Sequence, residues 1–498
     1  MVQIVRCRCV AACLVGVLTL SGTTALGEDS AEAARSLPQV DDDCLGGSLV
    51  PLGWRSLDAG RHDALTQKTL QEYYDSILDW GRFLRSDFRV VPDHPDWGYY
   101  GDGDHRENAI RAICYAVCVN AFLAEVEPPT TRLEKSDRAR FRSEAIAAMR
   151  YLVQSHKSGG GACLSGRSWG NQWQSAMWAR SLGFGAWLLW EDLDRSTRRS
   201  VARVVEFEAD RFVDRAPKSR VVNDTGAEEN AWNAGLAALA CCMMPDHPRA
   251  DLWDQAAKRY MYNTFSIAVD KNDHSMGDDG RAVREWVTTV NAHPDLTVEN
   301  HGLVHVGYLK NAHAMMLEGG SPYVLTDRKV PKACRHHMDG VLDILLRCLA
   351  WDGAPVCFGG NDWKLVHTQC SDVINFALTG VLDRDARAAR AAATSFEWLR
   401  RIQKQYGGCY TVRRDLEHNG LVGSRLVCCY LVFAKLGLGV EPLSQQELDR
   451  QTSGVRFFEH GRAIVHRTPT KFVSFAWGSN RMALALPRDG TWVAWPHF

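Results

Sequence analysis

The sequence has almost no net charge. Its 498 residues carry 58 lysine and arginine side chains against 59 aspartate and glutamate side chains. A protein that binds nucleic acid or an anionic membrane through its overall charge carries a clear excess of basic residues. The balance therefore gives no support to either class, and an anionic ligand would need a locally basic groove.

Two common ligand-binding patterns are also missing. Cys114 and Cys118 are one helical turn apart, but no CxxC pairs have the spacing of a zinc finger. The glycine-containing stretch WDGAPVCFGGNDW, residues 351–363, is not followed by the Lys–Ser/Thr pair of a phosphate-binding loop. The motifs thus exclude a zinc finger and give no support to a P-loop nucleotide site.

Long hydrophobic runs are scarce, and the clearest one lies at the N-terminus. The run VAACLVGVLTL follows the basic residues Arg6 and Arg8 and precedes the small residues Ala25 and Gly27. This order is typical of a secretory signal peptide, and the run is too short to span a membrane comfortably. We expect residues 1–27 to be removed, no transmembrane segment to remain, and the protein to be secreted or periplasmic.

Sixteen cysteines are present, three of them in the predicted signal peptide. The thirteen that remain are an odd number, so at least one thiol is unpaired within the chain. Many lie inside apolar helical patterns, as Cys241, Cys242 and Cys348 do. We expect most of them to be free thiols that pack as small apolar side chains.

Helical periodicity dominates the chain between an irregular segment at residues 28–60 and residue 440. Apolar residues recur with a 3.6-residue period between Gly, Pro and Asn breaks. This pattern predicts helices at residues 66–84, 107–125, 136–156, 171–192, 196–213, 227–243, 249–269, 300–318, 332–350, 367–380, 386–405 and 420–436. Twelve helices with short connections form six hairpins, and a ring of six hairpins, an (α/α) toroid, would bury both helix layers around a central cleft.

The period changes to two near residue 455. The stretches GVRFFEHGRAIVHRT, KFVSFAWG, RMALALP and TWVAWP alternate and are rich in Val, Phe and Trp. They predict successive strands of a small β domain at residues 455–498. The sequence ends directly after a strand pattern, so we expect the β domain to be partial and the chain to be a fragment.

Three side chains capable of proton transfer cluster in TVENHGLVHVGYLKNAH, residues 297–313. On the predicted helix 300–318, His301, His305 and Tyr308 occupy one face, whereas His313 lies off it. Such a stripe is either a catalytic face or a set of hydrogen-bonded polar groups in the core.

A metal is the alternative for this stripe. His301 and His305 have the i, i+4 spacing of zinc ligands, and Glu299 or His313 would supply the third ligand. However, Gly302 occupies the position after the first histidine, where the zinc-protease motif has glutamate. No cofactor is therefore expected, although a divalent metal stays open.

Three further stretches offer polar groups to a ligand. In NDTGAEENAWNAGLAALACCMM, residues 223–244, Asn230 and Asn233 lie beside alanines, so either they tie helices together or an amide binds a carboxylate. In residues 351–363, Asn361 and Asp362 follow glycines in a loop that is a plain turn or a ligand-binding turn. In SWGNQWQSAMW, residues 168–178, the tryptophans are core residues or sugar-stacking faces.

Together these stretches resemble the heparinase II/III-like polysaccharide lyase superfamily. The resemblance spans roughly residues 140–498 and rests on four stretches: Trp169–Ser175, Ala227–Asn233, Glu299–Tyr308 and the FGGND loop. It implies a helical toroid followed by an antiparallel β-sandwich, of which residues 455–498 would be the start. The superfamily loop usually reads Gly-Asp-x, and Gly360-Asn361-Asp362 departs from it.

The resemblance also implies an activity, namely cleavage of an anionic, uronate-containing polysaccharide by β-elimination. Asn230 or Asn233 would bind the uronate carboxylate, Tyr308 would act as acid, base or both, and His301 or His305 would be the partner base. The residues implied in substrate binding are Glu229, Trp169, Trp173, Gln174, Asn300, Asn361 and Asp362.

Other functions fit the same sequence. A glycoside hydrolase on a helical toroid needs two carboxylic acids, for which the candidates are Glu228, Glu229, Glu299 and Asp362. An epimerase would use the same site chemistry as a lyase. A secreted carbohydrate-binding protein could keep the fold without the chemistry.

Overall fold

The structure, a computed structural model, describes residues 62–130, 133–362, 372–478, 481–488 and 493–494. The predicted signal peptide and the irregular segment 28–60 lie outside the described residues. So do the end of the chain after residue 494 and residues 363–371, where the predicted helix 367–380 would begin.

The described part is mainly helical, as the sequence predicts. Each of the twelve predicted helices corresponds to an observed one, and two short helices, α8 and α14, were not predicted. The helices are α1 (Ala64–Leu84), α2 (Glu107–Glu125), α3 (Lys135–Ser155), α4 (Ser175–Leu188), α5 (Arg195–Asp210), α6 (Ala227–Met243), α7 (Ala250–Tyr262), α8 (Val283–Trp286), α9 (Val306–Leu325), α10 (Met338–Arg347), α11 (Asp372–Leu382), α12 (Ala386–Gln405), α13 (Leu416–Leu436) and α14 (Gln445–Thr452).

The helices differ in how much of their surface is buried. Nearly every described side chain of α2, α4, α6, α9, α11 and α13 is buried. By contrast, α1, α5 and α12 bury one face and expose charged residues on the other. Because a helix that is apolar all round must lie inside a protein, the first six form the interior layer.

The interior helices contact one another in sequence. Helix α2 packs against α4 and α13, α6 packs against α4 and α9, and α11 packs against α9 and α13. The amphipathic helices lie against this layer, with α3 on α2, α7 on α6 and α12 on α11. The core of the molecule therefore sits between two layers of helices.

Several helices begin at an aspartate or serine whose side chain accepts a backbone N–H of the first turn. These N-cap residues are Asp63, Asp194, Asp385, Asp415 and Ser444. A cap of this kind satisfies one of the N–H groups that the helix itself leaves without an acceptor.

Two β-hairpins interrupt the helical region. Strands β1 (Arg89–Val91) and β2 (His94–Tyr99) form one, and β3 (Glu299–Asn300) and β4 (Leu303–Val304) form the other. The second hairpin overturns part of a prediction, because α9 begins at Val306 and not at residue 300. His301 and Gly302 form the hairpin turn, with φ of 51° and 75°, which no helix allows.

An antiparallel sheet follows α14, in agreement with the predicted change of period. Its strands pair in chain order: β5 (Gly454–Phe458), β6 (Ala463–Arg467), β7 (Lys471–Trp477), β8 (Arg481–Pro487) and β9 (Val493–Ala494). Along β6 and β7, buried and exposed side chains alternate. The alternation shows that one face of the sheet packs on the core and the other does not.

The described cysteines are free, and all but Cys357 are buried. This confirms the expectation of buried thiols for the part of the chain that the structure covers; Cys44 and Cys370 lie outside it.

Within the described residues, two helices, α2 and α13, are long and apolar enough to cross a membrane. Both are mostly buried against neighbouring helices, which is the usual situation of a core helix in a folded domain.

Candidate active site

Tyr308, His301 and Asp362 form a continuous hydrogen-bonded chain. The Tyr308 hydroxyl lies 3.2 Å from Nε2 of His301, and Nδ1 of the same ring lies 2.6 Å from Oδ2 of Asp362. The other carboxylate oxygen, Oδ1, lies 3.0 Å from Nε2 of His305. The Asp362 carboxylate thus forms hydrogen bonds to both imidazoles, and the His301 imidazole also forms one to the Tyr308 hydroxyl.

His305 is the rigid member of this group. Its ring is fully buried, and its Nδ1 accepts the backbone N–H of Tyr308 at 3.3 Å, so His305 caps α9. An Nδ1 that accepts leaves the proton on Nε2, which donates it to Asp362. Burial lowers the pKa of His305, and the hydrogen bond to Asp362 opposes this effect only in part, so the ring is neutral. The buried ring also fixes the orientation of the Asp362 carboxylate.

His301 is the exposed member, with 47% of its side chain accessible. Because Asp362 accepts from Nδ1, the remaining nitrogen, Nε2, faces the Tyr308 hydroxyl as an acceptor. Burial raises the pKa of Asp362, but the hydrogen bonds from His305 and His301 outweigh burial and hold that pKa below its usual value. An ionised carboxylate behind an imidazole makes the imidazole a better base, as in the Ser-His-Asp triad.

Two turns bring these side chains together. The β3–β4 turn projects His301, and the FGGND loop supplies Asp362. The loop approaches the hairpin so closely that a Cβ on Gly359 would lie 2.2 Å from the carbonyl oxygen of Val304. Only glycine fits at this position, so the sequence Gly359-Gly360 permits the contact that brings Asp362 to the histidines.

The structure therefore places His301, His305 and Tyr308 close together, as predicted, but they do not share one face of a helix. The placement of His301 on the helix is wrong, because the three rings meet across a turn, a cap and the first helical turn. Ring centroids lie 4.9 Å apart for His305 and Tyr308 and 5.4 Å for His301 and Tyr308.

The two candidate third ligands of a zinc site at His301 and His305 have other partners. Glu299 Oε1 lies 3.0 Å from Nε2 of His293, and its Oε2 accepts the N–H of Asn223. His313 is fully buried, with Nδ1 2.9 Å from Oδ1 of Asn375. In the described geometry, these two side chains therefore bond to residues other than His301 and His305.

Asn230 and Asn233 differ in their bonding. The amide of Asn230 is fully buried and accepts the N–H of Lys218 while donating to the carbonyls of Lys218 and Asn263. Its hydrogen-bonding groups are thus committed to the backbone. Asn233, one turn later, is also buried, and its Oδ1 has no hydrogen-bond partner among the described residues.

Two other asparagines lie at the hairpin, Asn300 within β3 and Asn223 beside the turn. Asn300 is buried, and its Nδ2 donates to Oδ1 of Asp224 at 3.2 Å. Asn223 is exposed; its backbone carbonyl accepts the N–H of Gly302, and its side-chain oxygen lies 3.8 Å from where a Cβ of Gly302 would be. Sequence reasoning missed Asn223, whose one signal was its place in the turn-forming stretch Asn-Asp-Thr-Gly.

The predicted aromatic residues separate into core and surface. Trp169 is fully buried, and its Nε1 donates to the carbonyl of Leu152, so it cannot stack on a sugar. Trp173 is 55% exposed and meets Trp232 edge to face at 5.2 Å. Next to it, Gln174 accepts a hydrogen bond from Arg111.

Arg111 joins the first turns of three interior helices. Besides Gln174 at the start of α4, it binds Glu107 of α2 and Glu417 of α13. These helix N-termini therefore open on one side of the molecule, together with the exposed face of Trp173.

The two glutamates at the start of α6 are half-buried and have raised pKa values. Burial raises the pKa of Glu228 to about 8, while Arg111 and Arg425 lower it. Burial also raises the pKa of Glu229, which lies 3.7 Å from Nζ of Lys218. A carboxyl group with a pKa near 8 is protonated at neutral pH and can donate a proton.

A cavity of about 130 Å³ adjoins the β3–β4 hairpin. Hairpin and loop residues Gly302, Val304 and Gly359 line one side, and His460 and Arg462 of the β5–β6 turn line the other. The sheet is held there by Asp295, whose Oδ2 accepts the N–H groups of His460 and Gly461. The turn between β5 and β6 thus brings His460 and Arg462 to the cavity that Gly302 also lines.

Asn361 precedes Asp362 in the FGGND loop and is half-buried. Asp362, which the resemblance implies in substrate binding, instead forms hydrogen bonds to His301 and His305 and so orients both rings.

Comparison with known proteins adds no relative: no protein-family model matches the chain, and no curated protein matches it significantly. The functional conclusion therefore rests on the cluster of Tyr308, His301, His305 and Asp362.

Proposed function

We propose that this protein is an exported polysaccharide lyase that cleaves a uronate-containing chain by β-elimination. The observation that carries the proposal is the chain of contacts from the Tyr308 hydroxyl through His301 to Asp362. The sequence resemblance to heparinase II/III-like lyases points in the same direction.

The contacts suggest the order of proton transfers. His301, backed by Asp362, accepts the Tyr308 proton, and the tyrosinate removes the C5 proton of the uronate. As the C4–O bond breaks and the C4=C5 double bond forms, the Tyr308 hydroxyl gives this proton to the leaving oxygen, and protonated His301 then returns its proton to the tyrosinate. The electron pair of the C–H bond becomes the new double bond, so no cofactor is needed.

An amide beside the cluster would stabilise the charge that develops on the uronate carboxylate. Asn223 suits this role because it is exposed and adjoins the His301–Gly302 turn. Asn233 is the second candidate by the sequence resemblance alone, because its unpartnered atom is the acceptor Oδ1, whereas a carboxylate needs the Nδ2 donor. Asn230 serves the fold, because the backbone occupies its hydrogen-bonding groups.

An anionic chain would find its positive charge locally. His460 and Arg462 line the cavity at the hairpin, and Trp173 offers an exposed ring at the N-terminal ends of the interior helices. Arg462 places a positive charge in this cavity, which the near-zero net charge of the whole chain does not provide.

The same proposal includes the finer architecture. The interior contacts run from α2 through α4, α6, α9, α11 and α13 back to α2, which supports an (α/α) toroid. The outer face of the sheet exposes Phe457, Phe475 and Trp477, and an apolar face of this kind supports a second layer, as in a β-sandwich.

The test is an elimination assay on the purified protein with a panel of uronate polysaccharides. The conjugated double bond of the product absorbs ultraviolet light, so activity appears as rising absorbance. We expect a rise that Tyr308→Phe abolishes and that Tyr406→Phe, a change at the end of α12, leaves intact. A rise that persists in Tyr308→Phe would contradict the proposed mechanism.

A second candidate function, glycoside hydrolysis, is favoured by Glu228, whose pKa of about 8 suits a general acid. New reducing ends without ultraviolet absorbance, lost in Glu228→Gln and retained in Tyr308→Phe, would identify a hydrolase. Inversion at C5 without chain cleavage would identify an epimerase. Binding that neither variant alters, without any product, would identify a carbohydrate-binding protein.

A further inference from the structure

Away from the proposed active site, two consecutive histidines converge on one aspartate. His336 and His337 lie between a 3-10 helix at Lys332–Arg335 and α10, and Asp270 lies in a 3-10 helix at Ala268–Asn272. Nε2 of His336 is 3.2 Å from Oδ2 of Asp270, and Nε2 of His337 is 2.9 Å from the same oxygen.

The two rings lie on the same side of the chain although their residues are adjacent. His337 has a φ of 60°, in the left-handed region, and the ring centroids are 4.1 Å apart. In an extended or helical backbone, neighbouring side chains diverge, so this conformation is what turns both Nε2 atoms towards Asp270.

The donor atoms of the three side chains all lie within 4.8 Å of one another. Two imidazole nitrogens and a carboxylate oxygen are the ligands that zinc prefers when cysteine is absent from a site. With Zn–N and Zn–O bonds of about 2.0–2.1 Å, two ligand atoms of one tetrahedral zinc are about 3.3 Å apart. The distances of 3.2 and 2.9 Å therefore need only small adjustments to admit an ion.

The carboxylate is also prepared for this role. Oδ2 of Asp270 accepts the N–H of Ile267 at 2.8 Å, which fixes the side chain. His337 keeps 23% of its side chain accessible, which leaves room for solvent at a further coordination position.

We propose that Asp270, His336 and His337 form a binding site for a zinc-type divalent transition metal, with water as the fourth ligand. The ion joins the connection between α7 and the β3–β4 hairpin to the connection between α9 and α10. The first of these connections ends at the β3–β4 hairpin, which bears His301. A bound metal would therefore stabilise the segment that positions the hairpin of the proposed active site. The site does not depend on the reaction that the protein catalyses.

The first experiment strips the purified, reduced protein with a chelator and then titrates Zn²⁺ by calorimetry. We expect one tight equivalent and a higher unfolding temperature with Zn²⁺ than with chelator. Asp270→Asn and His337→Ala should each weaken binding by more than about 100-fold, because even a residue that only supports a ligand is worth 10- to 100-fold. His94→Ala, which removes an exposed imidazole on β2, should leave the tight equivalent unchanged.

Co²⁺ substitution identifies which side chains bind the metal. The visible spectrum of a four-coordinate nitrogen–oxygen site would support the proposal, whereas strong thiolate charge-transfer bands would assign the metal to cysteines and overturn it. Far-ultraviolet circular dichroism checks that each variant is folded. The proposal also fails if the folded wild-type protein binds no tight equivalent, or if folded Asp270→Asn binds as tightly as wild type.

Discussion

At the scale of single residues, Asp362 decides what the cluster can do. Its two oxygens hold Nδ1 of His301 and Nε2 of His305, so it sets the tautomer of both rings. None of these pairings is visible in the sequence, because Asp362 follows the histidines by about sixty residues. The sequence identified the three rings from their spacing, but it treated Asp362 as a substrate contact.

Replacing Asp362 tests this role directly. In Asp362→Asn, an amide could donate to His301 and favour the tautomer that no longer accepts from Tyr308. The analogous change in a Ser-His-Asp triad lowers kcat by about 10⁴-fold, and we expect a loss of at least about 10²-fold in the elimination assay. The matched control is Asp352→Asn, since Asp352 lies in the preceding turn, where its side chain accepts the N–H of Ala354.

If Asp362→Asn retained wild-type kcat, the carboxylate would not orient a catalytic base. A change in KM alone would instead return Asp362 to substrate binding.

His313 makes a second prediction at this scale, on stability against pH. Burial lowers its pKa to about 4, against a smaller opposing effect of Asn375, whereas an unfolded histidine has a pKa near 6.5. Below pH 6.5 the unfolded chain takes up a proton that the folded chain refuses. The free energy of unfolding is therefore unaffected by this group above pH 6.5. It decreases by about 3 kcal/mol as the pH falls from 6.5 to 4.

Denaturant unfolding at several pH values measures this effect. His313→Gln can still donate to Asn375 but cannot titrate, so its unfolding free energy should fall less steeply than that of wild type between pH 6.5 and 4. Equal slopes for the two proteins would contradict the prediction.

At the scale of elements, the sequence predicted secondary structure well where a periodic segment is long and poorly where the segment is short. Helices such as α2 and α6 begin and end at the predicted residues because a dozen or more residues repeat the same pattern. Strands β3 and β4 have two residues each, too few for any period, so the hairpin was absorbed into the helix that follows. The positive φ of His301 depends on contacts with distant residues, which a local pattern does not encode.

The contact between the FGGND loop and the hairpin can be tested through Gly359. In Gly359→Ala, the new methyl group would overlap the carbonyl oxygen of Val304, so the loop must move. We expect a stability loss of about 1–3 kcal/mol and a fall in kcat as Asp362 separates from His301. Thermal unfolding and the elimination assay measure the two effects.

Gly280→Ala is the control for this change. Gly280 has a φ of 70° and no atoms near its would-be Cβ, so alanine there costs stability of about 1–2 kcal/mol through backbone strain alone. Its kcat should be unchanged. A kcat that falls equally in both variants would mean that activity follows stability and not the contact between loop and hairpin.

At the scale of the whole molecule, a buried ionic group joins helices that are far apart in sequence. Glu318 of α9 lies 3.0 Å from Arg180 of α4 and 3.3 Å from Arg425 of α13. Arg425 also donates to Asn311, and all these side chains are buried. The sequence predicts each helix separately, but it contains no local signal for which helices meet, and charged residues inside apolar helices were overlooked.

This group supports the last prediction, which concerns how the interior helices are held together. Glu318→Ala would leave two buried guanidinium groups without their carboxylate, and breaking a buried ion pair in this way costs about 3–5 kcal/mol. Replacing all three charged residues by apolar ones, Glu318→Leu with Arg180→Met and Arg425→Met, removes the unpaired charge as well as the pair. We therefore expect the triple variant to be more stable than Glu318→Ala in denaturant unfolding. If Glu318→Ala unfolds like wild type, the charges do not hold α4, α9 and α13 together, and the apolar contacts between the interior helices suffice.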